Sequence, residues 1–93
     1  MGFSTDVKAT RKTSTGAVFA GRTRLRGLIA ANSGGGDGLL VLQDNTDSTT
    51  LFECDVANGD VFAFNLPTDG VLFPGGIKVS TMQNLSGVTI LHD

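Results

Sequence analysis

Six of the seven cations in this 93-residue chain fall within its first 26 residues: Lys8, Arg11, Lys12, Arg22, Arg24 and Arg26. Ammonium and guanidinium groups at this density can hold phosphates or carboxylates. The three arginines recur at every second residue, so on an extended strand all three point to one side. Residues 1–26 carry six cations against one acid, net +5, and residues 27–93 carry one cation against eight acids, net −7, although the whole chain is only −2. Such a two-ended charge suits a basic arm for nucleic acid, or a basic surface that meets an acidic one on another copy or on a scaffold.

The other reactive groups are sparse. His92 is the only histidine and lies next to the last residue of the sequence, where chains fray, far from Cys54, so no Ser/His/Asp or Cys/His device is expected to assemble and the chain reads as non-enzymatic. Cys54 shares a strand face with Phe52 and Val56 and reads as a small buried hydrophobe. Asp44 and Asp47 lie in a turn whose spacing lacks the glycine and distal glutamate of a calcium loop, so no metal is expected. The run Asn32-Ser33-Gly34-Gly35-Gly36-Asp37-Gly38 has the glycines of a phosphate loop but neither a following helix nor Gly-Lys-Ser/Thr, and reads as a mobile surface loop. Glu53 and Asp55 stand two residues apart on one strand face, a solubilising pair.

The elements that carry these groups are strands. Gly21 to Asn32 alternates between arginines and Thr23, Leu25, Gly27 up to Gly27, beyond which both faces turn apolar; the strand there either enters a fully covered region or is re-phased by a bulge at Gly27. Thr50–Val56 places Phe52, Cys54 and Val56 inward and Leu51, Glu53 and Asp55 outward. Asn58-Gly59 signals a type I′ hairpin to a return strand Asp60–Leu66, whose Phe62, Phe64 and Leu66 would complete the core's anchor. Pro67-Thr68-Asp69-Gly70 and Pro74-Gly75-Gly76 break the chain again. Turns every eight to twelve residues and no 3.6-residue period predict an all-β protein, an antiparallel β-sandwich or jelly-roll-like barrel of about 7–8 short strands without substantial helix. Residues 1–16 read as an N-terminal arm or edge strand, and 17–93 as a single β-sandwich domain.

Six phenylalanines with no Trp or Tyr leave few rings for stacking on bases or sugars, so the arginine row is expected to meet protein and nucleic acid is an unfavoured partner. No run approaches the ~20 apolar residues of a membrane span, and the first residues lack the pattern of a secretory signal, so synthesis in a cytoplasm without classical export is expected. Leu39-Leu40-Val41-Leu42 offers apolar groups to both sides of a sheet, which makes Leu40 and Leu42 candidate interface residues beside the six cations.

The segments Asp69-Gly70-Val71-Leu72-Phe73, Gly76-Ile77-Lys78-Val79 and Gly87-Val88-Thr89-Ile90, following an arginine strand and a Gly/Ser loop, resemble the small all-β virion proteins of tailed bacteriophages, among them capsid decoration or cement proteins. The resemblance implies a structural role in the virion, assembled in the host cytoplasm, with many copies per particle, a homotrimer bound to the major capsid protein, and no cofactor. It carries over no functional residue. His92-Asp93 stands where an aromatic would close the last strand, which leaves a tail, fibre or head–tail position open, and beside the virion reading stands a free binding module for glycan or nucleic acid.

Overall fold

The computed structural model describes residues 8–65 and 70–93. They form nine strands: β1 (Lys8–Lys12), β2 (Gly16–Ala20), β3 (Thr23–Asn32), β4 (Gly38–Asp44), β5 (Thr50–Val56), β6 (Val61–Asn65), β7 (Val71–Phe73), β8 (Gly76–Gln83) and β9 (Leu85–His92). Sheet A runs β1-β9-β3-β6, with β7 also on β3, and sheet B runs β2-β8-β4-β5. Every pairing is antiparallel.

The order has a simple origin. The pairs β1·β9, β2·β8, β3·β6 with β3·β7, and β4·β5 are those of one long hairpin whose tip is the turn after Asp44. Rolling that ribbon adds the β3·β9 and β4·β8 pairs and yields two facing sheets with jelly-roll connectivity. The protein is thus the expected all-β sandwich.

Between the sheets lie Leu25, Leu28, Ala30, Leu40, Leu42, Val56, Phe73, Ile77, Val79, Leu85, Val88 and Ile90. Two bulges decide which side chains reach this layer. In β3 the register against β9 slips between Leu25 and Gly27, so the inward set changes from Thr23 and Leu25 to Leu28 and Ala30, while Ile29 turns out to solvent. Of the two readings the sequence left open, the re-phasing bulge is the one realised. Gly27 is required there, because a Cβ would come 2.6 Å from the Phe64 carbonyl oxygen. In β5 the slip between Leu42 and Gln43 turns Leu51 onto the core beside Phe52, which corrects the outward assignment of Leu51.

The expected Asn58-Gly59 hairpin does not form. The β5 strand pairs with β4 in sheet B and β6 with β3 in sheet A, so residues 57–60 arch from one sheet to the other. Gly59 takes φ 75° while Asn58 does not, and the turn closes through Asp60 N–H to the Ala57 carbonyl. A type I′ turn needs positive φ at both central residues. The alternating phenylalanines misled because an apolar face looks the same whether its partner is beside it in a sheet or across the core. Phe52 and Phe64 in fact meet across the sandwich, stacked at 5.1 Å. Leu66, expected on the same face, and the Pro67–Asp69 turn lie outside the described residues.

Leu40 and Leu42 are fully buried in this chain's own core, so they offer no surface to a partner and the interface assignment is corrected. The second face of β4 is covered within the chain as well: Val41 stands between Glu53 and Thr81 and is left 9% exposed. One layer of neighbours along the sheet is enough.

Candidate functional site

The cations are distributed over sheet A by the period of two. In β3, Arg24 and Arg26 point away from the core, alternating with buried Thr23 and Leu25, and Arg22 is exposed in the turn that precedes the strand. Arg26 is engaged inside the chain, its Nε donating to Asp93 Oδ1 at 2.8 Å. Asp93 is fastened further by its N–H to the Arg24 carbonyl and by the Thr23 hydroxyl, which donates to its main-chain oxygen at 3.3 Å. The arginine row and the last described residues are therefore one polar corner.

On β1 the three cations part company. Lys8, Thr10 and Lys12 lie opposite His92, Ile90 and Val88 and share their inward side, whereas Arg11 lies opposite Thr89 on the outer side. Lys8 Nζ stands 5.9 Å over the Phe19 ring. The Arg11 guanidinium lies over Gly87, where a Cβ would come 2.8 Å from its central carbon. No segment of the chain brings all six cations together.

Across the outer face of sheet A the ladder sets Arg11 beside Thr89, Thr89 beside Ile29, and Ile29 beside Ala63, with Ala31 and Val61 in the next row. Ile29 is 44% and Val61 60% exposed, the two large hydrophobics most open to solvent among the described residues. Small side chains around them leave this surface flat and apolar, with arginines at its border. The outer face of sheet B is different: Glu53 and Asp55 on β5 flank Val41 and Leu39.

His92 is buried and not frayed. Its Nδ1 meets the main-chain oxygen of Asp93 at 2.9 Å, a group that can only accept, so Nδ1 donates there. Nε2 lies 3.0 Å from the Thr10 hydroxyl, which donates to it. The ring packs on Phe19 at 5.2 Å. With both nitrogens used, this histidine fastens β1 to β9 and closes the rim between β1 and β2.

Two further polar clusters hold connections in place. Asp44 accepts from the Thr46 N–H at 2.9 Å, the Thr46 hydroxyl at 2.7 Å and the Gly75 N–H at 2.9 Å, and these bonds, led by the Thr46 hydroxyl, lower its pKa to about 2. Its oxygens cap the β4–β5 tip and tie it to the turn before β8. The glycine-rich run is likewise pinned, which corrects its reading as a mobile loop. Asn32 donates to Gly36 and Val56 carbonyls and accepts from Gly34 and Gly59 N–H groups, Asp37 accepts from Asn58 N–H, and Asn84 Nδ2 donates to the Asp37 carbonyl. Asn84, at φ 55°, is the single residue between β8 and β9. The Cys54 thiol faces inward, and burial followed by the Asp55 charge pushes its pKa up, which disfavours the thiolate.

Sequence reading missed the exposure of Ile29, the work of His92 and the Asn32 network. Only the failure of alternation after Gly27 signalled the first. Comparison with known proteins finds no matching family model, no matching curated protein and no matching solved structure.

Proposed function

We propose that the protein is a non-enzymatic structural component of a virion, a capsid decoration protein that attaches to a shell of other subunits and reinforces it by associating with further copies of itself. The observation that carries this reading is the flat apolar outer face of sheet A, with Ile29 and Val61 open to solvent and arginines at its border. Such a surface is suited to a protein partner: apolar area supplies the attraction and the cations set orientation and reject basic neighbours. Two-sheet jelly rolls recur among virion proteins and lectins, so the architecture is compatible with the reading without deciding it. A homotrimer on the major capsid protein is the arrangement to look for first.

Mass spectrometry of purified particles from the source of the sequence tests the proposal. The chain is expected at many copies per particle, and Ile29→Lys, at a solvent-facing position, is expected to deplete it while leaving the fold intact. Particles that lack the wild-type chain overturn the reading. A parallel titration with labelled DNA at ~150 mM salt distinguishes the nucleic-acid alternative, because a few phosphate contacts give weak and steeply salt-dependent binding. Sub-micromolar affinity there would replace the structural reading with a nucleic-acid one.

A further inference from the structure

The sandwich has two long rims where its sheets part, and they carry opposite charge. At one, β1 faces β2 and presents Lys8, Arg11 and Lys12. At the other, β5 faces β6 and presents Glu53 and Asp55, with Asp60 leading into β6 and Asp37 held against the connecting arch. Between those acids the rings of Phe52, Phe62 and Phe64 are half-buried, Phe52 stacked on Phe64 and Phe62 tilted against it. Among the described residues, β1 and β6 have no partner on their outer edges.

Strand direction makes the rims joinable. Each sheet has four strands along its path and every neighbour is antiparallel, so β1 runs opposite to β6, and β2 opposite to β5. A second copy displaced sideways, without being turned over, offers β1 to β6 and β2 to β5, both in antiparallel orientation. The faces then choose the register, because residues opposite one another in a pair point to the same side. Thr10 and Phe62 both face inward, and setting them opposite places Lys8 against Phe64, Ala9 against Ala63, Arg11 against Val61 and Lys12 against Asp60. An ammonium meets a ring, an arginine stem covers the exposed valine, and a cation meets a carboxylate.

We propose that the protein self-associates head to tail, the β1/β2 rim of one copy on the β5/β6 rim of the next, in this register. The contact names the self-association that the assembly reading above calls for and takes its biological use from that reading. Joining like rims is opposed: two β1 edges bring cations together, and two β5/β6 edges bring Glu53, Asp55 and Asp60 against their own copies. Being heterologous, the contact closes into a ring or runs on as a fibre.

Directed cross-linking tests it in the full chain with Cys54→Ser. Ala9→Cys and Ala63→Cys are made separately, both at exposed outer-face positions, then mixed at ~100 µM under mild oxidation, a concentration that reveals even weak association. The expected product is a 9–63 linked dimer in the mixture, with neither chain cross-linking well alone. Adding Lys12→Glu to the first chain lowers the yield about tenfold, and Asp60→Lys in the second restores it, as expected for like charges brought together and then relieved. Circular dichroism confirms that each variant is folded, and Asp60→Lys alone, which sets two cations opposite one another, replaces Lys12→Glu if the latter unfolds. Absence of the 9–63 product, or a 63–63 dimer of equal yield, overturns the contact. Particles that carry the chain without this cross-link leave the structural reading standing and sink only the register; a strong cross-link from a chain absent from particles does the reverse.

Discussion

The two rims of the sandwich solve one problem in two ways. At the β1/β2 rim the gap between sheets is closed by a buried histidine whose nitrogens are both satisfied, packed on Phe19 and tied to Thr10. At the β5/β6 rim it is closed by three half-buried rings, Phe52 stacked on Phe64 and Phe62 tilted against it, all resting on the core. The first closure is directional and saturated within the chain. The second leaves aromatic surface half-exposed, the feature on which the proposed head-to-tail contact draws.

Substitutions sharpen the contrast, and the largest effect falls between the rims. Phe73 is fully buried, and Phe73→Ala is expected to cost about 3–5 kcal/mol, seen as loss of cooperative melting at or near room temperature. A melt that survives with a shift of only a few degrees would remove Phe73 from the centre of the core. At the polar rim, Thr10→Val deprives a buried nitrogen of its donor and is expected to cost about 1–3 kcal/mol. At the aromatic rim, Phe64→Ala removes a half-buried ring and is expected to cost about 1–2 kcal/mol, less than a central anchor would. If denaturant titration ranks Phe64→Ala above Phe73→Ala, the rims and centre have been assigned the wrong way round.

The β4–β5 tip belongs to neither rim and responds to acid. The Asp44 carboxyl is held at about 2, below its ordinary 3.8, because its charged form receives the Thr46 and Gly75 donors. Its contribution is complete above pH ~4 and is lost as pH falls from ~4 towards ~2. Wild-type melting temperature is therefore expected to fall over that range more steeply than that of Asp44→Asn, whose side chain does not titrate; parallel profiles would refute the assignment. The smallest effect belongs to Arg26→Ala. Its pair with Asp93 is partly exposed on both sides, so a loss of about 0–1 kcal/mol is expected, fading further as salt is added.

Strand identity was legible because period-two patterning is local. Leu25, Phe52 and Val56 could be placed inward from alternation, and the break after Gly27 left open either a covered stretch or the bulge that in fact exposes Ile29. The candidate site was legible only in pieces. Arg24 and Arg26 could be set on one face, but their distance from Lys8 and Lys12, and the partner that Asp93 supplies to Arg26, depend on strands far apart in the chain.

By itself the sequence determined the all-β class, the faces of most strands and the segregation of charge, since each follows from side-chain type at a spacing of one or two residues. Tertiary structure alone decided that β5 and β6 lie in opposite sheets, that Leu40 and Leu42 are spent on this chain's own core, and that His92 is buried. Alternation tells which side of a strand is apolar but not what covers it. A cross-strand neighbour and a residue across the core satisfy the same pattern, and choosing between them requires the whole roll of the chain to be in place.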